Sequence, residues 1–143
     1  MKKTVSAMLL LLIVVPIRAY GFSDLIVFGD SLSDVGNIFD NSFGFAVADP
    51  YVNGRLTNGD NYVDYLAPLL GLPAPTHSGD GGLNYAHGGA QIRLGGSFFV
   101  DPLAVQRDDY FADTSGTADP DACLLYTSPS PRDLSTSRMP SSA

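Results

Sequence analysis

The sequence predicts an α/β fold of three layers, in which helices cover both faces of a mainly parallel sheet. Three segments support this prediction: an apolar run at Leu25–Phe28, an amphipathic segment at 61–70, and a second short apolar run at 83–86. A strand, a helix and a strand in this order are typical of a right-handed βαβ unit, whose two strands lie parallel in one sheet.

The first strand is predicted at Leu25–Phe28, where four apolar residues precede Gly29. A short continuous apolar run is typical of a strand that is buried on both faces, as in a parallel sheet. Residues 30–37 are rich in Ser, Asp and Gly, which indicates a turn that leads into a helix. Residues 39–57 are predicted to form a loop.

The helix is predicted over residues 61–70, because Val63, Leu66 and Leu70 recur on one face at helical spacing. Gly71 then favours a helix end, and Pro73 prevents the helix from continuing. The second strand is predicted at 83–86. Beyond residue 93 the pattern predicts no regular element.

Composition excludes some classes of partner and bond. The chain has 143 residues and a net charge of −7, with 15 acidic and 8 basic residues. This balance argues against a nucleic-acid partner, which requires a basic face. Cys123 is the only cysteine in the sequence, so an internal disulfide is excluded.

Residues 1–21 predict a secretory signal peptide. Lys2 and Lys3 precede an apolar run at 8–16, and small residues at Ala19 and Gly21 suit a signal peptidase. The apolar run is shorter than the roughly 20 residues that a membrane-spanning helix needs. The mature protein is therefore expected to be secreted, periplasmic or at the cell surface after cleavage near Gly21.

Residues 123–143 are interpreted as a non-native tail. They are rich in Ser and Pro and show no hydrophobic periodicity. Residues 123–133 can be back-translated to codons that resemble the transposon-end adapter of short-read sequencing libraries, and residues 137–143 to codons that resemble the other end of that adapter. Such a segment is excluded from fold prediction. Residues 22–122 then remain as the N-terminal part of one hydrolase domain, and they carry 14 Asp and three Arg.

The candidate nucleophile is Ser31, which directly follows the predicted first strand in Phe28-Gly29-Asp30-Ser31-Leu32-Ser33-Asp34. Ligand sites of open α/β sheets lie at the carboxyl ends of strands. A Ser at a helix N-terminus also presents its own backbone N–H to a developing oxyanion. On this pattern alone, a plain N-cap Ser is the commoner alternative.

Four ordered segments resemble the GDSL, or SGNH, hydrolase family. They are the Ser31 block through Asn37, the run YVNGRLTNG at 51–59, the run YLAPLLGLP at 65–73, and NYAHGGA at 84–90. Leu56 and Thr57 depart conservatively from the family's second segment. The segments span residues 22–92, roughly half of the chain.

The resemblance implies a flavodoxin-like SGNH fold and a secreted serine esterase or lipase that forms an acyl-enzyme. It implies Ser31 as the nucleophile and as an oxyanion N–H donor, and Gly89 as a second donor, with Gly88 in reserve. The family's third block, with an Asn, and its last block, with an Asp and a His, are not found in this sequence. The fragment is therefore expected to be inactive.

The resemblance implies no metal and no organic cofactor. The expected partner is a small ester or lipid substrate, with contact to a lipid surface, and the oligomeric state stays open. Other polar residues are given structural roles: Asp30 and Asp34 hold the turn, His87 lines the pocket without acting as a base, and His77 is solvated. Asp108, Asp109, Asp113, Asp119 and Asp121 fit no EF-hand spacing and are expected in a solvated acidic loop.

Two other functions are considered. An α/β-hydrolase would need its oxyanion segment before the nucleophile and a second Gly where Ser33 stands. A dinucleotide-binding domain would need a G-x-G-x-x-G run after a strand, which residues 79–82 do not provide. A non-catalytic secreted binding or adhesion module is the alternative of another class.

Overall fold

The structure, a computed structural model of the chain, describes residues 21–92 and 99–127. Residues 1–20 of the predicted leader and 128–143 of the predicted tail lie outside the described residues. The described elements, in chain order, are β1 (Leu25–Phe28), α1 (Asn37–Asn41), α2 (Tyr62–Leu69), a 3-10 turn (Ser78–Asp80), α3 (Leu103–Asp113) and β2 (Cys123–Tyr126).

Strand β1 lies at the centre of the sheet. It pairs in parallel with β2, and Leu25 stands opposite Cys123. On its other edge, the N–H of Val27 donates to the carbonyl of Leu83 at 2.9 Å, and the N–H of Tyr85 donates to the carbonyl of Val27 at 2.7 Å. The predicted second strand is therefore present as a parallel bridge at Asn84 and does not extend into a strand.

Helices cover the two faces of β1, as the predicted three-layer α/β/α fold requires. Leu25 and Val27 share a cluster with Val63 of α2. The alternate residues Ile26 and Phe28 share a second cluster with Tyr85 and with Tyr110 of α3. Successive side chains of a strand point to opposite faces, so four apolar residues in a row supply two cores.

Helix α2 confirms the prediction made from its apolar spacing. Asn61 caps its first turn by accepting from the N–H of Val63 at 2.9 Å. At the other end Gly71 is left-handed, with φ 75°. The N–H of Leu72 donates to the carbonyl of Ala67 at 2.9 Å, which is the six-to-one bond of a Schellman motif.

Three elements differ from the interpretation of the sequence. Helix α1 begins at Asn37, where the predicted turn ends, so Ser31 does not lie at a helix N-terminus. Helix α3 was not predicted, because one of its two buried positions is the polar Gln106 and no apolar stripe forms. The run Cys123–Tyr126 forms a strand, although its sequence does not alternate between apolar and polar residues. All four of its residues pair in parallel with β1.

The origin of the tail that contains β2 stays a prediction. No helix in the described part of the chain has the length and apolar character needed to cross a bilayer.

Candidate active site

Ser31 lies in a tight turn at the carboxyl end of β1. The N–H of Asp34 donates to the carbonyl of Asp30 at 3.1 Å, which closes the turn around Ser31. The N–H of Leu32 donates to the carboxylate of Asp30 at 3.0 Å. The turn therefore needs no help from the Ser31 side chain, which is half-buried.

The polar groups of Ser31 are unengaged. Within residues 21–92 and 99–127, neither its hydroxyl nor its backbone N–H makes a hydrogen bond. The neighbouring Ser33 differs, because its hydroxyl is buried and lies 2.9 Å from the hydroxyl of Tyr62 and 2.7 Å from that of Thr127. Ser31 is thus the Ser of this turn whose oxygen can meet a substrate.

Asp34 anchors the backbone on both sides of the site. Its Oδ1 accepts from the N–H groups of Gly36 and Asn37, each at 2.8 Å. Its Oδ2 accepts from Ile38 at 3.1 Å and from Gly88 at 2.7 Å. Four donors around a fully buried carboxylate confirm the structural role predicted for Asp34.

The two glycines of the second block differ in what their N–H groups do. The N–H of Gly88 is committed to Asp34. A side chain at Gly88 would also come within 2.3 Å of Leu56. Gly89 is exposed and left-handed, with φ 82°, and among the described residues its N–H has no partner. The geometry therefore favours Gly89 over Gly88 as an oxyanion donor.

Hydrogen bonds hold the turn of Ser31 beside the turn of Gly89. The N–H of His87 donates to the carbonyl of Gly29 at 3.1 Å. The side chain of Asn84 donates to the carbonyl of Ser33 at 2.8 Å. The side chain of Asn37 donates to the carbonyl of Ala86 at 2.9 Å. Asn37 and Asn84 belong to the two motifs, but nothing in the sequence indicates that their side chains bridge the two blocks.

His87 is buried, and no hydrogen bond joins it to Ser31. Its Nε2 lies 3.3 Å from Oδ2 of Asp101, and its Nδ1 has no partner in the part of the chain that the structure describes. Asp101, just before α3, was not singled out from the sequence. Among residues 21–92 and 99–127, no side chain is hydrogen-bonded to the Ser31 hydroxyl as a base would be.

His77 was expected to be solvated, and this expectation is wrong. Its side chain is 14% exposed because the ring packs against Gly36, where an added Cβ would lie 2.8 Å from the ring. Its Nε2 lies 3.2 Å from Asp80 and 3.6 Å from Asp40. Within the described ranges, these three side chains form the one group that could hold a metal ion, and both acids are exposed.

The predicted acidic loop is partly helical. Asp108, Asp109 and Asp113 lie on the exposed side of α3, while Asp119 and Asp121 follow it in a loop. Desolvation raises the pKa of the Asp109 carboxyl, and the negative charges of Asp101 and Asp113 raise it further.

An apolar cleft of about 350 Å³ lies elsewhere, between α3 and the sheet. Phe28, Leu103, Arg107 and Tyr126 are among its lining residues, and neither Ser31 nor Gly89 is. The cleft therefore lies apart from the candidate nucleophile. The Ser31 turn is identified by its free polar groups and not by a cavity.

Comparisons with known proteins indicate the family of the chain. The model of the GDSL-like lipase/acylhydrolase family matches residues 25–126. A GDSL esterase/lipase of Arabidopsis thaliana is 36% identical over 115 residues, covering 64% of this chain and 31% of that protein. Lipase 1 of Photorhabdus luminescens is 40% identical over 80 residues, covering 51% of this chain and 10% of that protein. The chain spans less than a third of the length of these relatives.

Proposed function

The chain belongs to the GDSL-like lipase/acylhydrolase family, and we propose from this that it is the N-terminal part of a secreted serine ester hydrolase with Ser31 as nucleophile. The family match does not support the α/β-hydrolase alternative. We call the protein that carries residues 22–122 together with the family's remaining blocks the complete protein.

One observation carries the proposal. The hydroxyl and N–H of Ser31 and the N–H of Gly89 are all unpaired in the described part of the chain, while the groups around them are hydrogen-bonded. Ser31 is half-buried and Gly89 is exposed, so these groups are open to a bound molecule. Two free donors beside a free hydroxyl suit an ester carbonyl, whose oxygen becomes negative when it is attacked.

The reaction follows from these groups. The oxygen of Ser31 attacks the ester carbonyl carbon, and its proton passes to a general base. The N–H groups of Ser31 and Gly89 donate to the oxyanion of the tetrahedral intermediate. The intermediate collapses, the alcohol leaves with a proton, and the acyl group stays on Ser31. Water then attacks the acyl-enzyme and releases the acid.

The complete protein must supply the base. In the proposed arrangement it is the His of the family's last block, oriented by the Asp of that block, and the Asn of the third block adds a third oxyanion donor. His87 is not assigned as the base, because it faces Asp101 and makes no contact with Ser31 in the described residues.

The proposed substrate is a carboxylic ester or a lipid. Phe43 and Phe45, in the loop after α1, are 84% and 89% exposed, which supports contact of the complete protein with a lipid surface. Export is proposed from the leader sequence of residues 1–21. Amino-terminal sequencing of the protein recovered outside the cytoplasm should begin near Phe22.

A fluorophosphonate probe tests the proposed nucleophile. We expect the probe to label the complete protein at Ser31, as read by peptide mapping, and not at Ser33, whose hydroxyl is buried and hydrogen-bonded. Ser31→Ala should abolish labelling and ester turnover without lowering the melting temperature. A folded complete protein that is not labelled at Ser31 would instead be a binding or adhesion module.

A further inference from the structure

We propose that Gln106 is a positioning residue. It holds the backbone at Gly29 and thereby fixes the positions of Ser31 and Gly89 relative to each other. The inference rests on the proposed ester hydrolysis and names a residue on α3 that no motif of the sequence indicates.

The side chain of Gln106 engages both polar groups of the Gly29 backbone. Its Oε1 accepts from the N–H of Gly29 at 2.9 Å, and its Nε2 donates to the carbonyl of Gly29 at 2.8 Å. The same Nε2 donates to the carbonyl of Asp101 at 2.9 Å. Gln106 is 1% exposed and among the largest fully buried side chains of the described residues.

This pairing takes the place of a strand. The ladder of β1 and β2 ends where Phe28 stands opposite Tyr126, so the backbone of Gly29 lies beyond it. A primary amide offers one donor and one acceptor side by side, as a peptide group of a neighbouring strand does. Gln106 therefore satisfies the buried N–H of Gly29, which has no other partner among the described residues, and gives the carbonyl of Gly29 a second donor.

Gly29 is also the point at which the two halves of the site meet. Its carbonyl accepts from Gln106 and from the N–H of His87, the latter at 3.1 Å. Gly29 lies two residues before Ser31, and His87 lies two residues before Gly89. A shift of the Gly29 peptide therefore changes the separation between the nucleophile and the second oxyanion donor.

The chemistry of the amide makes the role testable by small substitutions. Gln106→Glu keeps the size of the side chain, but its carboxylate accepts without donating and faces the carbonyls of Gly29 and Asp101. A protonated Glu regains one donor. Gln106→Met keeps the volume and removes both hydrogen bonds at every pH. Gln91, the only other Gln in the sequence, is exposed and makes Gln91→Glu a matched control.

The experiment measures kcat and KM on a short-chain ester for the complete protein and these variants, after thermal melting has shown that each is folded. We expect kcat of Gln106→Glu and Gln106→Met to fall by about 10²-fold at alkaline pH, with little change in KM, because small misplacements of reacting groups cost that much. Gln91→Glu should match the unsubstituted protein.

The pH profile separates positioning from simple stabilisation. Burial raises the pKa of a carboxyl group at this position, so the side chain of Gln106→Glu should gain its proton between about pH 9 and about pH 6. The ratio of kcat for Gln106→Glu to kcat for the unsubstituted protein should therefore rise as the pH falls. The same ratio for Gln106→Met should stay constant.

The outcomes distinguish this inference from the proposed function. No turnover by the folded unsubstituted protein would refute the ester hydrolysis itself. A different result is that the unsubstituted protein turns over ester, the folded Gln106 variants match its kcat, and the kcat ratio for Gln106→Glu does not change with pH. That result would refute only the role of Gln106. If Gln106→Glu, Gln106→Met and the shorter amide Gln106→Asn all fail to fold, Gln106 is structural and the positioning role is wrong.

Discussion

The carboxylate of Asp34 accepts a hydrogen bond from the backbone N–H of Gly88 at 2.7 Å, across 54 residues of sequence. This bond joins the turn that carries Ser31 to the turn that carries Gly89. It also removes the N–H of Gly88 from the donors that a substrate could use.

Substitution of Asp34 by Asn should destabilise the protein by about 3 kcal/mol, since buried donors would lose a charged acceptor. Both carboxylate oxygens accept N–H groups, so the amide nitrogen would face donors in either orientation. Urea unfolding measures the loss. In the control Asp30→Asn, one oxygen still accepts from Leu32, and the loss should stay below about 1 kcal/mol. Equal losses for the two variants would contradict the role assigned to Asp34.

The two glycines should respond to substitution in different ways in the complete protein. At Gly89 an added Cβ has room, with its nearest contact 3.7 Å away at Val100, but φ is 82°. Gly89→Val should shift the peptide and cost roughly 10²–10³-fold in kcat, because the proposed oxyanion donor is displaced. KM should change little.

At Gly88 the expected effect falls on stability. An added Cβ would lie 2.3 Å from Leu56, so Gly88→Ala should lower the melting temperature. Thermal melting and steady-state kinetics of both variants give the comparison. A folded Gly89→Val variant with normal kcat would remove Gly89 from the site.

Stability should fall at alkaline pH because of Tyr85. Burial raises the pKa of its phenol, and a hydrogen bond of 2.9 Å to Asp113 raises it further. The folded-state pKa lies above that of the unfolded chain, about 10. The contribution of Tyr85 to the free energy of unfolding is therefore fully present below about pH 10, and it is lost as the pH rises toward the folded-state pKa.

Urea unfolding of the protein and of Tyr85→Phe, at neutral pH and above about pH 10, tests this origin of the alkaline loss. The variant should lose about 1 kcal/mol at neutral pH, where the hydrogen bond is removed. From neutral to alkaline pH, the free energy of unfolding of Tyr85→Phe should decrease by less than that of the unsubstituted protein. A parallel decrease in both proteins would show that Tyr85 is not responsible.

The 143-residue chain by itself should not hydrolyse a short-chain nitrophenyl ester above the rate of its Ser31→Ala variant. A Ser hydroxyl without a base is a weak nucleophile, and base assistance is worth about 10²–10⁴-fold. Initial rates over a range of ester concentrations provide the measurement. Saturable turnover that depended on both Ser31 and His87 would make His87 the base.

Long-read sequencing of the source genome should give different codons after the one for Ala122. The reason is the resemblance of residues 123–133 and 137–143 to the ends of a library adapter. The strand at Cys123–Tyr126 does not decide the matter, because any short apolar run can extend beside β1. Finding the same tail codons in genomic DNA would show that the tail is native.

The local sequence was sufficient to predict β1 and α2. Four apolar residues in a row need two covered faces, and the spacing of Val63, Leu66 and Leu70 fits one face of a helix. It was not sufficient for α3, whose buried positions are Gln106 and Tyr110. Gln106 is buried because Gly29, 77 residues away, needs a partner, and such a partner leaves no periodic signal.

By itself, the sequence determined strand β1, helix α2, the motif around Ser31 and the family that the motif indicates. These depend on residues that are close together in the chain. Only the tertiary structure decided that, among the described residues, the N–H of Gly88 is hydrogen-bonded and the N–H of Gly89 is not, and that His87 pairs with Asp101. The physical reason is that a hydrogen-bonding group is available or occupied according to its neighbours in space, and these neighbours come from distant parts of the chain.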